Sequence, residues 1–127
     1  MLDVFAAGFL VFAYIATALF QLAIALGAPL GEYAYGGQNI GKLPTRYRIS
    51  SVFSMLVMFA LAGHYLAQTS VLEPLLDASG NSIVNWVLVG FAGLAAIMNN
   101  ITRSQKEKRL WGGTTVAMLL AAIIVAI

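Results

Sequence analysis

The sequence predicts an all-α polytopic membrane protein with four transmembrane helices in a single bundle, and three observations carry that prediction. Hydrophobic residues make up 61% of the 127-residue chain and charged residues only 9%, whereas soluble domains carry about 25% charged residues. The apolar residues fall into four runs, and a span needs roughly 20 residues to cross about 30 Å of hydrocarbon. All seven Lys and Arg residues lie in two short segments, Lys42 to Arg48 and Arg103 to Arg109. A chain of this length has room for one such domain and no second.

The first span is expected over residues 4–26. Its start, Met1-Leu2-Asp3, has no basic region and precedes an apolar run too long for a signal peptide, so it reads as a retained helix. Tyr14, Thr17 and Gln21 recur at intervals of three and four and share one face, which is expected to point into the bundle. Pro29 between Gly27 and Gly31 ends the helix. A long connection, 28–48, follows. Gly31, Gly36, Gly37 and Gly41 give it turns, and Tyr33, Tyr35 and Tyr47 argue for an ordered loop at the headgroup layer.

The second span is expected over 49–66, with His64 placed near its outer end and Gln68 one turn later on the same face. The connection after it carries Glu73, Asp77 and no cation. The third span, 83–98, is short and ends at Asn99 and Asn100, side chains suited to closing exposed helix carbonyls. Gly90, Gly93 and Ala96 give it a small face. The fourth span, 110–127, repeats Gly113, Ala117 and Ala121 every four residues, a packing row. Shifting the chain by 61 residues aligns Asn39-Ile40 with Asn100-Ile101 and Arg48 with Arg109, too few matches to establish a repeat.

Charge sets the expected orientation. The seven cations with Glu32 and Glu107 leave one side at +5, and Asp3, Glu73 and Asp77 leave the other at −3. Basic loops stay in the cytoplasm, so loops 28–48 and 99–109 are expected inside and both termini outside. The same bias explains a pI of 9.2 without nucleic acid, because juxtamembrane cations attract anionic lipid.

Candidate sites are sparse. Glu32, Tyr35, Arg46, Arg48 and Arg103 form the expected site for an anion or lipid headgroup, since guanidinium groups hold phosphate bidentately. A basic collar touching lipid phosphates, with Glu32 pairing one arginine, accounts for the same residues. Tyr14, Thr17, Gln21, His64, Asn99 and Asn100 are the expected bundle-interior polar groups. Arg103 and Glu107 are spaced to pair across one helical turn.

Gly36, Gly41 and Lys42 match part of a phosphate-binding loop, but Leu43 and Pro44 stand where the magnesium-holding hydroxyl belongs, and no strand precedes it. A single histidine and no cysteine leave no metal-ligand cluster, and no nucleophile sits with a base and an orienting group. No catalytic residue, metal or cofactor is assigned.

The runs Gly27-Ala-Pro-Leu-Gly-Glu-Tyr-Ala-Tyr-Gly-Gly37, Gly41-Lys-Leu-Pro-Thr-Arg-Tyr-Arg-Ile-Ser50 and Asn99-Asn-Ile-Thr-Arg-Ser-Gln-Lys-Glu-Lys-Arg109 resemble an uncharacterised family of small four-span bacterial integral membrane proteins. That resemblance implies a bacterial plasma-membrane location and transfers no activity. A membrane glutathione-transferase-like family shares the size and span count, but its Arg followed by spaced Asn and Glu is not matched by Arg46-Tyr-Arg-Ile-Ser-Ser51. The expected function is a helix-bundle interaction or accessory module, forming a homo-oligomer or joining a partner membrane protein. The alternative is a channel or facilitator for a small solute, with the polar stripe as path and the arginine loop as inner mouth.

Overall fold

The computed structural model describes all 127 residues and contains four long helices and no strand. They are α1 (Leu2–Ala25), α2 (Thr45–Leu66), α3 (Ala78–Ile101) and α4 (Gln105–Ala126). Each is long and apolar enough to cross a membrane. Only 23 residues are buried, while Phe5, Phe12 and Phe53 are each more than 60% exposed. Large apolar side chains on the outside of a helical bundle are the surface a lipid solvent requires.

The helices outlast the apolar runs that announce them. α2 begins at Thr45 rather than at residue 49, because the Pro44 carbonyl accepts from the amides of Tyr47 and Arg48; Arg46 and Arg48 therefore sit on the helix, not in the loop. α3 begins at Ala78 rather than 83. The Asp77 side chain caps it by accepting from Gly80 N at 2.7 Å, the usual job of an N-cap carboxylate. At 24 residues α3 is about 36 Å long, so the expectation of a short third span is corrected. Ser104 caps α4 by accepting from Glu107 N. The second basic connection shrinks to residues 102–104.

α4 carries a π-helical segment, Lys108–Gly112. Such bulges free carbonyls from the regular ladder, and side chains take them up here. Asn100 Nδ2 donates to Gly112 O at 3.1 Å, and the Thr115 hydroxyl donates to Trp111 O at 2.7 Å. Asn99 and Asn100 also donate to Ala95 O and Ala96 O, as expected of terminal asparagines. Asn100 is nevertheless an exposed residue, not an interior one.

α1 packs closely against α2 and α4, and α3 packs closely against α4, whereas α2 and α3 approach one another much less and share the core through side chains. The row α2, α1, α4, α3 curls so that its two ends meet only through side chains. One core fills the half of the bundle away from the basic loops, built from Leu10, Tyr14, Ala62, Tyr65, Leu88, Met118 and their neighbours. Tyr14 and Tyr65 stack there with centroids 5.9 Å apart. The small-residue rows serve this packing only in part. Ala96 and Ala121 are buried, but Gly90, Gly113 and Ala117 are exposed, because strict three- and four-residue steps both drift off a face with period 3.6.

The long first connection is ordered by its own small core of Ile24, Ala34 and Leu43, with Phe20, Tyr35 and Tyr47 against it. The tyrosines thus pack on protein rather than only anchoring at the headgroups. Two glycines are dictated by space. Gly31 N–H donates to Gly41 O, and a Cβ at Gly31 would run into the carbonyls of Asn39 and Gly41. Gly37 has φ +70°, and a Cβ there would strike Ser104.

Candidate functional site

The half of the bundle nearest the basic segments is hollow. A cavity of about 740 Å³ is bounded by Tyr14, Thr17, Phe20 and Gln21 of α1 and by Ser54 and Met58 of α2. Its other side is α3 from Phe91 to Ile101 and α4 at Trp111, Thr115 and Met118, and the first connection forms its mouth with Tyr33 to Gln38. Small-molecule sites fall in the range of about 300–1,000 Å³ and are mostly apolar with a few placed polar groups. This one fits both criteria.

The expected polar stripe lines the cavity. Thr17 donates to the Tyr14 carbonyl at 2.9 Å, which satisfies it locally. Gln21 differs: its Oε1 is buried with no hydrogen-bond partner, an arrangement that costs about 1–3 kcal/mol unless something supplies a donor. Tyr65 OH is likewise buried and unpartnered, but it belongs to the packed half.

Two loops converge to make the mouth. The Ser104 hydroxyl donates to Glu32 O, Gly36 N–H donates to Glu107 Oε2 at 2.9 Å, and Trp111 Nε1 donates to Tyr33 O at 3.2 Å. The Lys106 ammonium pairs with Glu32. These contacts put both basic segments at one end of the bundle. They also settle the phosphate-loop resemblance: the Gly36 amide that would face a phosphate is taken by the protein's own carboxylate.

The expected five-residue anion site is not assembled. Arg48 Nε donates to Ala25 O at 3.1 Å and closes the end of α1. Arg46 lies over the Tyr47 ring, 4.8 Å from its centroid. The Tyr35 hydroxyl is within hydrogen-bond distance of Ser51 Oγ at 3.1 Å, and Glu32 is held by Lys106 rather than by an arginine. Arg103 makes no pair with Glu107, because it precedes the N-cap of α4 while Glu107 turns to Gly36. Of the five, Tyr35 and Arg103 line the cavity and Glu32 lies in the recess beside it, whereas Arg46 and Arg48 border neither space.

His64 is placed at the opposite end. The side-chain amides of Gln68 and Asn85 bond reciprocally, Gln68 Nε2 to Asn85 Oδ1 at 2.9 Å and Asn85 Nδ2 to Gln68 Oε1 at 2.8 Å. His64 Nε2 lies 2.8 Å from the same Asn85 Oδ1, so the satisfying arrangement has the imidazole donating. This cluster is the clasp between α2 and α3. Asn85 is 5% exposed and was legible only as a polar residue near a span end.

Glu107 and Trp111 escaped the sequence reading as site residues, since both look like ordinary interface groups until the π segment turns Trp111 inward. Their signal was position, Glu107 within the second basic segment and Trp111 just past its end. No known protein family, curated protein or solved structure matches this chain.

Proposed function

We propose that this protein is an integral-membrane binding and accessory module that holds one small amphipathic molecule in the hollow half of its bundle. The observation that supports this most is the asymmetry of packing: the core around Tyr14 and Tyr65 is filled, and the space below it is not. Along α3 the cavity runs from Phe91 to Ile101, about 15 Å at 1.5 Å per residue. That is half of a hydrocarbon layer about 30 Å thick, so the space belongs to one leaflet.

The charge bias supports a single orientation in a bacterial plasma membrane, with the basic end and cavity mouth facing the cytoplasm and both termini outside. Exposed Gly113 and Ala117 leave α4 a face for a second copy of the chain or a partner membrane protein. A facilitator for a small solute draws support from Thr17 and Gln21 lining the cavity. It meets a packed layer at Tyr14, Ala92 and Met118, which favours holding over passage.

Native mass spectrometry of the detergent-solubilised protein tests the reading. Wild type is expected to keep one non-protein molecule per chain, and Ala95→Phe, which fills the cavity from α3, to lose it. A bare wild-type chain that binds no added amphiphile, together with solute flux in proteoliposomes, would favour the conduit instead.

A further inference from the structure

Beside the apolar cavity lies a second space of about 330 Å³ with no hydrophobic residue in its wall, lined by Glu32, Gly36, Gly37, Arg103, Ser104, Gln105 and Lys106. The two spaces share Gly36 and Arg103. Together they form a site with a long apolar chamber, one leaflet deep, and a polar antechamber at the membrane surface. Lys106 is neutralised by Glu32, whereas Arg103 makes no hydrogen bond or ion pair and is exposed. The antechamber therefore offers one uncommitted guanidinium, the group best shaped to hold a phosphate through two parallel hydrogen bonds.

We propose that the occupant is a phosphate-headed lipid of the leaflet at the basic end, with its phosphate on Arg103 and one acyl chain in the cavity. This rests on the reading of the cavity as a binding site and adds the identity of the ligand class. Because α2 and α3 are hydrogen-bonded to one another only at the far end and share side-chain packing only in the core there, the lipid enters sideways between them from its own leaflet. Glu107 faces the cavity but is engaged by the Gly36 amide, so it does not cancel Arg103 by direct pairing. The apolar chamber supplies burial for the chain, and Arg103 supplies the choice of head.

Trp111 lines the cavity and Trp86 is half exposed on the lipid face, so Trp86→Phe leaves a reporter inside the site. In a neutral, phosphate-free detergent this protein is titrated with a brominated phosphatidylglycerol and with a brominated diacylglycerol of the same chains. The phospholipid is expected to quench Trp111 at a concentration at least ten-fold lower. Arg103→Gln should abolish that preference, and Ala95→Phe should abolish the high-affinity quenching. Equal quenching by both lipids, removed by Ala95→Phe, would overturn phosphate recognition while leaving the cavity reading intact. Quenching that survives Ala95→Phe would overturn both. Inorganic phosphate at 10 mM is expected not to restore the fluorescence; full restoration would reassign the recess to a soluble phosphate and overturn the lipid.

Discussion

Replacing Asn85 with leucine keeps the side chain's size and removes the clasp between α2 and α3. Three hydrogen-bonding contacts are lost: His64 Nε2 to Asn85 Oδ1, Gln68 Nε2 to Asn85 Oδ1, and Asn85 Nδ2 to Gln68 Oε1. Side-chain hydrogen bonds between membrane helices average about 0.6 kcal/mol, so three amount to about 2 kcal/mol. The residue is buried, and Gln68 Oε1 loses its only donor, which keeps the cost from falling much below that figure. Unfolding in mixed micelles of increasing SDS fraction, followed by far-UV circular dichroism, reads the loss directly. A cycle with His64→Ala isolates the imidazole's share, expected at about 0.6 kcal/mol of coupling. If Asn85→Leu is as stable as wild type, the two helices are held by something other than this cluster, and the lateral opening must be reconsidered.

Two further outcomes are expected. Gly37→Ala forces an alanine to φ +70° against Ser104 and should cost about 1–3 kcal/mol, seen as faster proteolysis within residues 28–44 while the spans stay protected; unchanged cleavage would mean that the two loops are not docked. A reporter fused at the C-terminus that is active only outside the cytoplasm is expected from the charge bias, and activity inside would reverse the orientation.

Much of the architecture is legible because membrane physics is coarse. Four apolar runs and two basic segments suffice to place four spans and to put Lys42 to Arg48 at the same end as Arg103 to Arg109. The polar stripe Tyr14, Thr17 and Gln21 was legible from spacing alone, and all three residues line the cavity. Helix ends were less so, since Asp77, Pro44 and Ser104 extend helices into polar sequence that hydropathy does not register.

The anion site was misread for a different reason. Spacing shows which residues share a loop but not which carbonyl or ring each will find. Arg48 was drawn to the end of α1 and Arg46 to Tyr47, while Lys106, seventy-four positions from Glu32, took the carboxylate. The hollow itself has no local signature. It lies between helices, walled by residues of α1, α2, α3, α4 and the first connection that are far apart in sequence.

A bundle solid in one monolayer and empty in the other has two different footprints. Emptied, the lower half can collapse and take up less area; filled, it presses outward against its neighbours on that side alone. Under the proposed lipid binding, occupancy is coupled to the bending of the sheet around it, so that curvature and lateral pressure become effectors of binding.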